Sequence, residues 1–167
     1  MTIEPRLFRS VMRNFATGVT VVTTRSSYGD IGITVNSLTS VSLEPTLVLI
    51  CIDRGAFSHP WLLESGVFAV NILSEHQEDC ARLFASRAAG ADPKLAGVPF
   101  RRGRTGAPIF ERALAYLDCR VVATYPGGDH TIFLGEVEDA AVLDESVGAL
   151  LYFRGDYARL ADPADGR

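Results

Sequence analysis

The stretch Ile33–Asp53, ITVNSLTSVSLEPTLVLICID, constrains this chain more than any other. A β-branched segment, a Glu44-Pro45 turn and the apolar run TLVLICI predict two strands folded back on each other, the second buried on both faces. Thr34, Asn36, Ser37, Thr39, Ser40 and Ser42 crowd hydroxyls and an amide onto the first strand. Such a row can hydrogen-bond the edge of a flat polar ligand without forcing a charge into a buried site. It is equally the composition of an edge strand with a solvated Ser/Thr face.

The flanking sequence extends the β pattern. Pro5 to Thr17 carries Leu7, Phe8, Val11, Met12 and Phe15 at helical spacing, with Pro5 in the first turn and Gly18 as the stop, and predicts a helix that buries one face. VTVVTTR (19–25) predicts a strand, and SSYGD, with Gly29, a turn leading back into the polar strand. After Asp53, Ser58 is the expected cap of a short helix with Pro60 in its first turn and Gly66 past its end. The free N–H groups at such a helix start can meet a phosphate. VFAVNIL (67–73) predicts a strand, and Glu75–Ser86 a helix with Cys80, Leu83 and Phe84 inward.

From Arg87 to Pro108 the glycines and prolines predict a long irregular loop, of the kind that is functional or lies across a partner. Leu117, Cys119, Val121 and Ala123 then alternate with Asp118, Arg120, Val122 and Thr124 in a half-buried strand. YPGGD turns the chain into a second long strand beginning at His130, and LLYFRGDY predicts a last one. Six or seven strands, three short helices and few helical crossovers predict a mainly β fold with short helices, an antiparallel barrel, as a single domain over residues 1–167.

Several function classes drop out. A net charge of −4 and a pI near 5.3 argue against a nucleic-acid binder, Arg101, Arg102 and Arg104 being the one basic cluster. The charged start MTIEPRLFRS and the lack of an apolar run of bilayer length predict a cytoplasmic protein with no membrane contact. Cys51, Cys80 and Cys119 lack CxxC spacing and suit small core hydrophobes in a reducing compartment. His59, His76 and His130 show no paired spacing, so no metal site is expected. Neither GxGxxG nor GxSxG is present, which leaves a Rossmann nucleotide site and a hydrolase elbow unsupported.

FATGVTVVTT, GITVNSLTSVSLEPTLVLIC, GGDHTIFLGEVEDA and LLYFRGDY occur in that order and at these separations. Together they resemble the short-chain flavin reductases, the reductase components of two-component flavin-dependent monooxygenases, over about Phe8 to Leu160. The resemblance implies a split antiparallel β-barrel, a homodimer with flavin at its interface, and reduction of FMN or FAD by NADH or NADPH, with the reduced flavin passing to a separate, transiently met monooxygenase. The lack of an arginine cluster for a 2′-phosphate favours NADH.

By position in these motifs, the resemblance places Thr34, Val35, Asn36 and Ser37 along the isoalloxazine edge and ribityl chain. Cys51, Ile52 and Asp53 would line the same groove, Ala56 and Ser58 would hold the phosphate, and Phe84 and Ala85 would flank the flavin. His130 would stand beside the nicotinamide or the ring that receives hydride, and Tyr152 and Arg154 would close that side. Ala56 stands where many members carry a second hydroxyl, Val35 where Ala is usual, and Leu38 and Leu95 where Phe is usual. Three other readings remain open. They are a split-barrel oxidase acting on a phosphorylated substrate such as pyridoxamine phosphate through Arg101, Arg102 and Arg104, a non-enzymatic flavin-binding module, and an assembly subunit for an oxygenase.

Overall fold

The computed structural model describes residues 3–85, 95 and 97–161. In chain order the elements are α1 (Pro5–Met12), β1 (Thr17–Gly18), β2 (Thr20–Ser26), β3 (Gly29–Val35), β4 (Thr39–Leu43), β5 (Thr46–Asp53), α2 (Ser58–Ser65), β6 (Val67–Ile72) and α3 (Glu78–Ala85). They are followed by β7 (Phe100–Arg102), β8 (Pro108–Phe110), β9 (Ala115–Gly127), β10 (His130–Val142), β11 (Leu151–Phe153) and β12 (Asp156–Ala158).

Seven strands form one antiparallel sheet in the order β3-β2-β6-β9-β10-β5-β4. Its two edge strands, β3 and β4, are consecutive in the chain and are joined only by Asn36, Ser37 and Leu38. Four virtual bonds of 3.8 Å reach at most about 15 Å. The sheet therefore has to curl until its edges face each other, and because no ladder joins β3 to β4 the barrel stays split at that seam.

Burial follows from position in this curled sheet. β2 and β6, in its interior, are buried along nearly their whole length, and the apolar side chains of β2, β5, β6, β9 and β10 meet in a core around Phe68, Ile50, Ile52, Cys119 and Phe133. A second cluster joins Val21, Leu73, Phe84, Phe110 and Leu150. Two glycines allow close approach. A Cβ at Gly32 would lie 2.9 Å from the Phe84 ring, and one at Gly135, beside a register shift in β10, 2.5 Å from that of Phe68.

Several expectations are corrected. β5 is not buried on both faces: Val48, Ile50 and Ile52 point into the core while Leu47, Leu49 and Cys51 are half-buried, because β5 lies next to the seam. α1 ends at Met12 and buries none of its residues, with Phe8 54% and Phe15 67% exposed. Its apolar stripe is real, but no described element covers it. Gly18 lies in β1 instead of ending the helix.

α3 is shorter than expected and turns Ala81 and Phe84 inward, leaving Leu83 exposed. The 87–108 loop contains β7 and the start of a hairpin with β8, and Ser86–Lys94 and Ala96 lie outside the described residues. The C-terminal strand is itself a hairpin, β11 with β12, turning at Arg154 (φ 53°) and Gly155. Asp118, expected outward, is fully buried and accepts from the Thr105 N–H at 2.8 Å and the Thr105 hydroxyl at 2.5 Å. An unpaired carboxylate could not occupy that position.

Candidate functional site

The polar row sits on the seam, and its side chains divide into those the fold uses and those it leaves open. Thr34 Oγ1 donates to the Ala81 carbonyl at 2.7 Å, fastening β3 to α3. Ser37 Oγ donates to the Cys51 carbonyl and accepts from the Cys51 N–H, both at 3.0 Å, which pins the joining segment to β5. Asn36, between them, is exposed and its amide has no hydrogen-bond partner among the described residues.

Two hollows meet at Asn36. One, of about 240 Å³, is lined by Val19, Thr34, Val35, Ala85, Tyr152 and Tyr157 besides Asn36. The other, of about 630 Å³, lies between the C-terminal end of α1 and the joining segment, with Phe15, Thr17, Ser37 and Leu38 on its walls. Sites of this size hold small ligands when a few polar groups converge in them. An uncharged amide that can both donate and accept, set among hydroxyls and apolar walls, fits the mixed donor and acceptor edge of a flavin ring.

Across β5 from the polar row lies a second group. His130 opens β10 directly opposite Asp53 in the ladder, and Thr131 opposite Ile52. The half-buried His130 ring has Nδ1 2.7 Å from Asp129 Oδ1, and that contact holds the Asp129 carboxyl below its ordinary pKa. Asp53 Oδ1 accepts from the Gly55 N–H at 2.8 Å, and the Arg54 N–H donates to the Asp129 carbonyl at 3.0 Å. The end of β5 and the β9–β10 turn are thus one rigid corner.

Other expected residues are placed less directly. Ile52 and Phe84 point into the core, so at the seam they offer backbone and packing, not side chains. Ser58 is not the helix cap. Phe57 holds that position, and the buried Ser58 hydroxyl has no partner among the described residues. Arg154 faces α1, donating from Nε to Asn14 Oδ1 at 3.2 Å and from its N–H to the Arg13 carbonyl at 2.7 Å.

Burial raises the Cys51 thiol pKa and pushes Cys80 up to about 11 and Cys119 up to about 12, as befits packing groups rather than nucleophiles. Among the described residues no cluster of three His, Cys, Asp or Glu could hold a metal, and no helix is long and apolar enough to cross a membrane.

Sequence reasoning missed Tyr157, His59 and Asp129. Tyr157 meets Tyr152 edge-on at 5.6 Å and carries the Arg82 guanidinium 4.8 Å over its ring. Its spacing from Tyr152 in LLYFRGDY was the available signal, once the hairpin is known. His59 Nε2 lies 2.8 Å from Thr131 Oγ1, tying α2 to β10.

Burial, followed by the charge of Arg54, lowers the His59 pKa against a smaller rise from Asp53. Its folded pKa is below the unfolded value of about 6.5. The neutral ring's contribution is therefore complete above that value and is lost as pH falls through the folded pKa. Melting curves from pH 7.5 to 5 are expected to show Tm falling, and less steeply in His59→Gln; parallel curves would refute the assignment.

The chain matches the family model described as "Flavin reductase like domain" over residues 12–161. It is 40% identical over 156 residues to "Flavin-dependent monooxygenase, reductase subunit HsaB" of Mycobacterium tuberculosis, covering 93% of this chain and 82% of that protein. It is 37% identical over 160 residues to "NADH-dependent FMN reductase AsuE2" of Streptomyces nodosus, covering 93% and 85%. Among solved structures, the Streptomyces globisporus NADH:FAD oxidoreductase SgcE6 in complex with NAD and FAD fragments superposes with a TM-score of 0.87 at 40% identity, covering 99% of each chain.

Proposed function

Because the chain belongs to the flavin reductase like domain family, we propose that it is an NADH-dependent flavin reductase, one domain throughout, that reduces FAD or FMN and supplies the product to a separate monooxygenase component. The observation that carries the reading is the C-terminal end of β5, flanked on its β4 side by the open amide of Asn36 and the hydroxyl-pinned backbone at Ser37–Cys51 and on its β10 side by the oriented imidazole of His130. Flavin and NADH supply the hydride chemistry themselves. What remains for the protein is to hold two flat rings in contact, which rewards rigid walls more than acids or bases.

In this reading Asn36 and the backbone of residues 34–37 bind the ring edge. Thr34 and Ser37 act through the geometry they impose, since their hydroxyls are already bonded within the fold. Tyr152 and Ala85 wall the smaller hollow. His130, with Nδ1 occupied by Asp129, presents Nε2 to the nicotinamide side. Ala56, the buried Ser58 hydroxyl and the start of α2 receive the phosphate. Arg154 closes the site indirectly, by bracing β11 against α1.

The preference for NADH agrees with the cation nearest the tyrosine wall. Arg82 is engaged by Glu78 at 2.7 Å and Asp156 at 3.6 Å, leaving it poorly placed for a 2′-phosphate. The arginines that the oxidase alternative would use are engaged within the fold, Arg104 by the Glu138 carbonyl at 3.5 Å. Arg102 is paired with Asp30 through both nitrogens at 2.6 and 2.7 Å, and Arg101 lies over the Tyr116 ring.

A homodimer is the partner state that best explains α1, whose exposed Leu7, Phe8, Val11 and Met12 need an apolar cover. The cytoplasm, where NADH is available, is the fitting compartment. The test is NADH oxidation by purified protein with FAD, with FMN and with neither, alongside its mass in solution. Turnover that requires added flavin supports the reductase. Bound flavin without turnover refutes it in favour of a binding module.

A further inference from the structure

The relatives divide between FAD and FMN, and a patch that the reductase reading leaves unused bears on the choice. Phe57 lies between Ala56 and Ser58, the two residues assigned to the flavin phosphate. Its ring is 48% exposed and meets Tyr28, 41% exposed, at a centroid distance of 5.1 Å. Tyr28 in turn stacks on Trp61 at 5.6 Å with 22° between the planes. The three side chains come from the β2–β3 turn, the start of α2 and its first turn, and fix one another's orientation, with Phe57 the most exposed of them.

Arg54 stands on the same loop, exposed and without a side-chain partner among the described residues. Its backbone is tied to the Asp129 carbonyl, and its charge reaches the start of α2, where it helps lower the His59 pKa.

The geometry points to this patch as the adenylate subsite of FAD, and so to FAD as the preferred flavin. The inference rests on the reductase reading and on its placement of the phosphate. FMN ends at that phosphate, whereas FAD continues from it with a second phosphate and an adenosine. The continuation leaves from residues 56–58 and meets, within one residue, an aromatic face of the kind purines stack on. The second phosphate adds a negative charge beside Arg54, the one unpaired cation of the loop among the described residues. An FMN site needs neither feature.

The experiment measures Kd and KM for FAD and for FMN separately, with wild-type protein, Phe57→Ala and Phe57→Tyr, and the mass of each in solution. FAD is expected to bind more tightly than FMN. Phe57→Ala should raise the ratio of FAD to FMN dissociation constants about fivefold or more, and Phe57→Tyr should preserve it. A wild-type preference for FMN, or an unchanged ratio in Phe57→Ala, overturns the subsite while leaving the reductase standing. A change of mass in Phe57→Ala overturns it as well, by making the patch a subunit contact. Failure of both flavins to support NADH oxidation would instead remove the reading beneath it.

Discussion

Asn71→Leu is expected to destabilise the chain by about 2–5 kcal/mol, although leucine has the same branched heavy-atom skeleton as asparagine. Asn71 is fully buried on β6. Its Nδ2 donates to the Val21 carbonyl at 3.0 Å and the Thr23 hydroxyl at 3.1 Å, and its Oδ1 accepts from the Phe110 N–H at 2.7 Å. One amide thus joins β2 and β6 to the β8 segment, whose own hairpin partner, β7, is only three residues long.

Leucine keeps the branched shape but leaves the buried Phe110 N–H without its acceptor, where a lone donor costs about 1–3 kcal/mol and the lost donor contacts add to it. Chemical denaturation of the two proteins measures the difference. For a chain of this length the same loss lowers Tm by roughly 5–15 °C. A change under 1 kcal/mol would mean that the β8 segment finds other partners and that the network is not what holds it.

His130→Ala is expected to lower kcat/KM for NADH by about ten- to a hundredfold, the range in which misplacing one reactant by about an ångström falls. The flavin KM should stay within about twofold. The reason for the split is position. His130 pairs with Asp53 across β5 from the side that carries Asn36 and Ser37, and its Nδ1 is taken by Asp129. The ring can therefore act on the nicotinamide side without supporting the flavin edge. His130→Gln, which keeps a polar group of similar reach, should recover part of the loss. Steady-state kinetics with each substrate varied in turn reads both constants. Equal losses for flavin and NADH would show that His130 builds the flavin site instead.

The extent to which the fold was legible differs by element. The strands announced themselves because β-branched alternation is a local property, as in VTVVTTR and HTIFLGEV, and Gly66 ends α2 in the left-handed conformation as its position suggested. Helix α1 misled because an apolar stripe records that something must cover it, and the sequence does not say whether that cover is in the same chain. The short β7–β8 hairpin was hidden by composition. Asp118 read as an outward residue and Asn71 as one position of a strand, although each organises a buried polar network, since only the three-dimensional partners make such burial tolerable.

For the candidate site the sequence offered a list of residues and not their arrangement. The order and spacing of four motifs were enough to name the family, the expected flavin contacts and the nicotinamide reductant, because those motifs are contiguous stretches of chain. That Ser37 spends its hydroxyl on Cys51, that Arg154 turns toward α1, and that Tyr157 joins Tyr152 at the smaller hollow depended on which strands became neighbours.

The sequence by itself determined a β-rich domain with a polar strand, a flavin reductase signature and no pattern for metal or Rossmann binding. The tertiary structure alone decided that β3 and β4 are the two edges of one curled sheet. A three-residue connection drew those edges together without a ladder between them, and the seam left between them is where backbone and side-chain polar groups stay available to a ligand.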